Sequence, residues 1–176
     1  MKRNSSLRVL AIIALICLAF GLGHVVAAGE WKVEVVSGDR STVLTGADAA
    51  AMKAHTMKAA FLRSTGRIDG PSAYTVIPMD AILARVGGIN PDQAIRVTAR
   101  DGYQMVYSFA QVNGGVFTYD DKGNALRVGG PSMLLAFESE RDSADKLPRI
   151  IYGRRDGVVI TDGHFWAKSV AKIEVI

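Results

Sequence analysis

Between Tyr74 and Phe109 the hydrophobic pattern changes period, and that change constrains the fold more than any other feature of the chain. Pro78 fixes φ and lacks an N–H, which suits a first helical turn. Met79, Ile82, Leu83 and Val86 then recur at i, i+3, i+4 and i+7, so a short helix is predicted, ending at Gly87-Gly88. After Asn90-Pro91 the period becomes two: Ile95, Val97 and Ala99 alternate with Arg96, Thr98 and Arg100 up to Asp101-Gly102. That dipeptide suits a type I′ turn, and a second strand, Tyr103 to Phe109, follows.

A two-residue turn would set Arg100 opposite Tyr103, Ala99 opposite Gln104, Val97 opposite Val106 and Arg96 opposite Tyr107. One face of the hairpin would be aliphatic. The other would carry two Arg/Tyr pairs, either a solvated face with cation–π contacts or the wall of an anion site. Exposed charged faces are the usual case, so the solvated face is the expectation.

The flanking segments read as short strands and brief helices. Trp31 to Ser37 alternates as a strand. Thr45 and Asp48 have capping-box spacing ahead of an Ala-rich helix through about Ala54. Thr56 to Arg63 reads as a strand, and Ser64 to Ala73, STGRIDGPSA, as a loop long enough to carry a site. Ser108 and Gln111 form a second capping box, with Gly114-Gly115 ending a helix of barely one turn. Val116 to Tyr119 is a strand before the turn Asp120 to Asn124, whose acids lack the spacing of an EF-hand loop. Met133 to Phe137, Arg149 to Tyr152, Val158 to Ile160 and Ser169 to Ile176 are further strands, the last closing the sheet. Glu138 to Lys146 is a charge-mixed, solvated loop, and Arg154 and Arg155 lie in a glycine-flanked turn. Many short strands with few brief helices give an α+β class, a mixed β-sheet domain with short helices.

The net charge of +4 is uneven, because Lys2, Arg3 and Arg8 at the start of the chain supply three of those charges. The remainder is nearly balanced, and nucleic acid is excluded as a partner for want of a clustered basic surface. Those first residues read as an export signal: a basic MKRNSSLR, an apolar run from Val9 to Phe20, and Val26-Ala27-Ala28 as a small-residue cleavage site. The competing reading is an uncleaved anchor, since Val9 to Ala28 is just long enough to cross a bilayer. Either way the domain is expected outside the cytoplasm, secreted or tethered, with 1–28 as leader and 29–176 as the domain. Cys17, the one cysteine, lies inside the apolar run, so the domain itself has no thiol and no disulfide.

The order of the motifs carries a resemblance. Tyr74-Thr75-Val76-Ile77-Pro78-Met79-Asp80 entering a short helix, a Gly-Gly end, a strand and Asp101-Gly102-Tyr103 resembles the oxidoreductase molybdopterin-binding domain, the fold of the sulfite oxidase group. Gly129-Gly130-Pro131 before the strand Ser132 to Phe137 is similar to that family's Gly-Pro-hydrophobic strand. Lys168-Ser169-Val170 and Lys172-Ile173-Glu174-Val175 resemble its closing run. Together these cover about the last hundred residues.

The resemblance implies molybdopterin as cofactor and a cysteine thiolate on molybdenum, on the loop before the Tyr-Thr segment. The matching loop here, Arg63-Ser64-Thr65-Gly66, has no cysteine, and Val76 stands where the family commonly has Gly. A Ser or Thr oxygen is a harder donor than thiolate and is no simple substitute. The resemblance further implies that His164, Lys168 and Ser169 lie near the pterin pyrophosphate. Arg63, Ser64, Thr65, Tyr103, His164, Lys168 and Ser169 are accordingly the cofactor-binding candidates, with no metal ligand and no catalytic residue assigned.

Other chemistries find no support. His55 and His164 are the only histidines past the leader, too few for a three-histidine zinc site. The chain lacks a nucleophile elbow, a phosphate-binding P-loop and a dinucleotide fingerprint. The leading expectation is an exported module of this oxidoreductase fold, atypical or non-catalytic, that binds a cofactor or a small-molecule or anionic ligand. A molybdopterin-dependent oxidoreductase of the sulfite oxidase type is the alternative, and a cell-surface interaction domain is the second.

Overall fold

The computed structural model describes residues 31–176, so the expected leader lies outside the described residues. Among the described residues twelve strands form two mixed sheets and the helices are short, an α+β arrangement that is mostly β. Among the described residues no helix is long and apolar enough to cross a membrane.

The first sheet contains β1 (Lys32–Ser37), β2 (Arg40–Thr45), β5 (Ala94–Ala99), β6 (Gln104–Ser108) and β12 (Val170–Val175), in the order β2-β1-β12-β5-β6. The second contains β3 (His55–Leu62), β4 (Ile68–Pro78), β7 (Phe117–Tyr119), β8 (Ala125–Val128), β9 (Ser132–Ser139), β10 (Arg149–Gly153) and β11 (Ile160–Asp162), in the order β10-β9-β4-β3-β11-β7-β8. Two pairings are parallel, β1 with β12 and β11 with β3. The last strand therefore sits in the middle of its sheet rather than closing an edge. Alternation explains which sides pack: Val33 and Val35 of β1, Ile95 and Val97 of β5, and Ile173 and Val175 of β12 are buried. They share one hydrophobic cluster with Val76, Ile77, Leu135 and Ile151 of the second sheet.

The expected helix is present as α1 (Met79–Leu83) followed by a 3₁₀ turn, Ala84–Val86. Met79, Ile82, Leu83 and Val86 are all buried, as their spacing requires. Pro78 is the N-cap residue, extended at φ −60° and ψ 137°. Gly87, at φ +104°, ends the segment, and the Gly88 N–H donates to the Leu83 carbonyl. The second capping box also forms: the Gln111 N–H donates to Ser108 Oγ, and the Ser108 N–H to Gln111 Oε1, opening α2 (Phe109–Val112).

The hairpin register differs from expectation by one residue. Thr98 faces Gln104, Val97 faces Met105, Arg96 faces Val106 and Ile95 faces Tyr107. The turn has three residues, because Ala99 N–H donates to the Tyr103 carbonyl and Gly102, at φ +86°, alone takes the left-handed position. A type I′ turn would have forced Asp101 to positive φ as well, which an L-residue resists. A one-residue slip changes every cross-strand partner. Tyr107 is consequently fully buried, Val106 is 53% exposed, and the predicted Arg/Tyr face does not exist. Arg96 instead pairs with Glu174 of β12 at 2.9 Å. Space is open around Gly102, so Gly102→Ala carries only the conformational strain. It is expected to destabilise the domain by about 1 kcal/mol in urea titration; a neutral result would mean that the turn relaxes out of the left-handed conformation at position 102.

Three further expectations are corrected. The Ala-rich helix is two separate 3₁₀ turns, Gly46–Asp48 and Ala50–Met52, stopped by Lys53 at φ +59°. Most of the predicted loop from Ser64 to Ala73 is strand, because β4 begins at Ile68 and pairs with β3 on one side and, from Tyr74 on, with β9 on the other. Gly70 is needed there: a Cβ would lie 2.8 Å from the Ala59 carbonyl oxygen. The strand expected at Val158 to Ile160 lies at Ile160–Asp162, and β2 and β8 have no counterpart in the sequence reading.

Candidate functional site

The parallel pair β3/β11 sets up the region that the sequence singles out. Asp162 lies opposite Leu62, so the chain leaves both strands side by side, as Arg63 to Gly66 and as Gly163 to Phe165. Gly163 permits this approach, since a Cβ there would lie 3.0 Å from the Leu62 carbonyl oxygen. Asp162 Oδ1 accepts the His164 N–H at 2.8 Å and starts a 3₁₀ turn. The His164 ring remains exposed, edge-on to Phe165 at 5.6 Å.

Beneath these loops is a cluster of arginines and carboxylates. Asp69 on β4 is 4% exposed and accepts from three guanidinium groups: Arg63, Arg67 at 2.9 Å and Arg141 at 2.7 Å. Burial by itself would raise the Asp69 pKa, but the hydrogen bonds from Arg141, Arg63 and Arg67 outweigh it and hold the carboxyl at about 2. Next to it, Arg149 is fully buried and pairs with Asp142 at 2.6 Å. Aromatic rings complete the cluster: Arg141 lies 5.1 Å from the Phe61 ring centre, and Arg149 lies 5.2 Å from that of Trp166. Phe61 and Trp166 are 4.7 Å apart. The loop Glu138 to Lys146 is thus not simply solvated, because Asp142 and Arg141 turn inward.

The seven candidate residues fall into two groups. Arg63, Ser64, Thr65 and His164 gather at the end of the β3/β11 pair. Tyr103 and Ser169, with Lys168 beside Ser169 in the chain, belong to the tip of the β5/β6 hairpin, where Arg100 N–H donates to the Ser169 carbonyl. Ser169, at φ +53°, directs its hydroxyl to the Asp145 carbonyl oxygen at 2.6 Å. Arg100 also serves this corner, donating to the Leu147 and Asp145 carbonyls. The segment between the two groups is fixed from below: Tyr107 donates to the Phe165 carbonyl at 2.8 Å, and Trp166 Nε1 donates to Thr161 Oγ1 at 2.9 Å. Burial pushes the Tyr107 phenol far up, so it remains a neutral donor.

No protein-family model and no curated protein matches the chain.

The donor set does not fit a thiolate-held molybdopterin. Arg63, Ser64, Thr65 and Gly66 offer no sulfur, and the Ser169 hydroxyl is spent on the Asp145 carbonyl. Among the described residues no group of three or more His, Cys, Asp or Glu side chains is arranged to hold a metal ion. The arrangement can instead attract an anion, because four guanidinium groups, Arg63, Arg67, Arg141 and Arg149, meet only two carboxylates, Asp69 and Asp142.

Sequence reading missed Asp69, Arg67, Arg141, Asp142 and Arg149. The one available signal was the density of arginine around Asp69 in RSTGRID, which a loop assignment made unremarkable.

The folded-state pKa of Asp69 lies below its unfolded value of 3.8, so the stability it contributes is present above about pH 4 and lost as pH falls toward 2. Asp69→Asn is therefore expected to flatten the acid limb of the pH–stability curve and to cost about 1–2 kcal/mol at neutral pH, after allowing for the exposure of Arg63 and Arg67. An unchanged acid limb in urea titrations from pH 6 to pH 2 would show that the three arginines are solvated independently of Asp69.

Proposed function

We propose that this chain is an exported, non-catalytic ligand-binding module, built on a fold like that of the sulfite oxidase molybdopterin-binding domain, and that it takes a small anionic ligand at the end of β3. The observation that carries the reading is the convergence of Arg63, Arg67 and Arg141 on the single carboxylate of Asp69. Each guanidinium keeps donors beyond those used on Asp69, and the Arg67 side chain is 70% exposed. Planar, fixed donor arrays of this kind favour phosphate and carboxylate oxygens. Ser64 and Thr65, in the adjoining turn, add hydroxyls, and His164 adds a ring N–H. The absence of a soft donor in Arg63 to Gly66 argues against redox chemistry on a thiolate-bound metal.

Metal analysis and pterin fluorescence after denaturation, on protein purified from its native compartment, test the non-catalytic part. Molybdenum well below stoichiometric is expected; one molybdenum per chain with released pterin would overturn it. Titration with inorganic pyrophosphate, followed by amide NMR, tests the ligand part. Saturable shifts at residues 63–67 and 164 are expected, with at least tenfold weaker binding in Arg67→Ala, and shifts absent from this region would refute the site.

A further inference from the structure

At the opposite end of the second sheet, four adjacent strands stop together: His55 begins β3, Pro78 ends β4, Ser132 begins β9 and Gly153 ends β10. Beyond their ends is a cleft of about 280 Å³, flanked by the first turn of α1 and the end of α2. Its polar lining comes from five separate segments, namely His55, Asp80, Asn113, Ser132 and Arg155. Its apolar lining includes Met57, Met133 and Leu134. Gly153 belongs to this design, because a Cβ there would collide with the Met57 methyl group and prevent that side chain from lying across the strand end.

The charges in the cleft are not satisfied within the protein. Arg154 is taken by Asp156 at 2.6 Å, but among the described residues Arg155 has no carboxylate partner, and its guanidinium rests 3.3 Å from His55 Nδ1. Asp80 accepts the Ala81 N–H through Oδ1 at 2.8 Å and takes part in no salt bridge among the described residues. Asn113 spends its amide N–H on the Phe109 carbonyl, which leaves its side-chain oxygen as an acceptor. The lining thus brings together an unpaired cation, a carboxylate and a neutral acceptor with apolar side chains. A simple anion would meet the Asp80 charge, and a simple cation would meet Arg155. A molecule carrying both signs meets complementary groups at both ends.

We infer that this cleft binds a small zwitterion with a short aliphatic body, of the class of free α-amino acids with apolar side chains. Arg155 and His55 receive the carboxylate, Asp80 and Asn113 the ammonium, and the side chain lies on Met57, Met133 and Leu134, where the two thioethers adapt to its shape. The volume is at the small end for ligand sites, which fits an amino acid. The inference stands apart from the anion site proposed above, since it uses none of the same residues.

The test uses L-leucine as the probe, with 4-methylpentanoate, which lacks the amine, and 3-methylbutylamine, which lacks the carboxylate, as its two halves. Calorimetry and amide NMR on the processed chain are expected to show saturable leucine binding, with shifts grouped at residues 55, 80, 113, 132 and 155. Each half-molecule is expected to bind at least tenfold more weakly. Arg155→Ala and Asp80→Asn are each expected to weaken leucine tenfold or more without moving the unfolding midpoint, because both side chains are on exposed residues. Absence of saturable binding, equal binding of either half-molecule, or leucine affinity untouched by both substitutions would overturn the inference. Loss of pyrophosphate binding at residues 63–67 would leave it intact.

Discussion

Asp142→Ala is expected to lower the unfolding free energy by about 3–5 kcal/mol, read as the urea midpoint by tryptophan fluorescence. Arg149 is fully buried, and its one carboxylate partner is Asp142, whose side chain is itself only 6% exposed. The remaining contacts of the guanidinium are weak substitutes: the Trp166 carbonyl at 3.3 Å and the faces of Phe61 and Trp166. Arg149 Nε already lacks a partner, so there is no reserve to absorb the loss. For a domain of ordinary stability this removes a third or more of the total. Burying an ion pair is costly in itself, so replacing both partners with apolar groups, Asp142→Leu with Arg149→Met, is expected to recover most of the loss. A loss below about 1 kcal/mol in the single variant would mean that water reaches Arg149 and that the pair is not desolvated.

Trp166→Ala is expected to have an effect of the same size, about 3–5 kcal/mol, with a fall of about 10 °C in the thermal midpoint. The indole is 3% exposed, 4.7 Å from Phe61 and 5.8 Å from Tyr74, and its N–H satisfies the buried Thr161 hydroxyl. Trp166→Phe keeps a ring in place and leaves that hydroxyl without its donor, so a loss of about 1–2 kcal/mol is expected. The two sites are coupled because both the ring and the carbonyl of Trp166 touch Arg149. Trp166→Ala and Asp142→Ala should therefore be non-additive by more than 0.5 kcal/mol in a double-mutant cycle. Strict additivity would show that the guanidinium does not lie between them.

How legible each element was in the sequence depended on whether its cause is local. The helix at Met79 could be read because four apolar residues at helical spacing and two glycines specify it without outside help. The box at Ser108 and Gln111 was readable for the same reason. The Ala-rich segment after Thr45 had propensity but too little to bury: of its residues only Ala49 and Met52 enter the core, and a helix that short does not persist on propensity alone. The hairpin was legible as a hairpin but not in its register, which was decided by whether Asp101 would accept positive φ. Gly, Ser and Pro made the start of β4 look like a loop, whereas pairing with β3 imposes extension on it. The arginine–carboxylate cluster was the least legible part. Asp69 and Arg141 are 72 residues apart, and only the tertiary fold shows that the polar loop after β9 folds its charges inward.

The position of β12 also bears on the order in which the molecule can be made. Its first sheet consists of two ribbons, β1/β2 and β5/β6, that have no direct ladder to each other and are joined only when residues 170–175 slide between them. Until that seam is filled, each ribbon presents a bare row of amides and carbonyls to the solvent. A stalled or clipped chain would therefore keep two adhesive borders, and acquisition of the native state should be paced by this late, long-range closure, on a scale of milliseconds to seconds rather than microseconds.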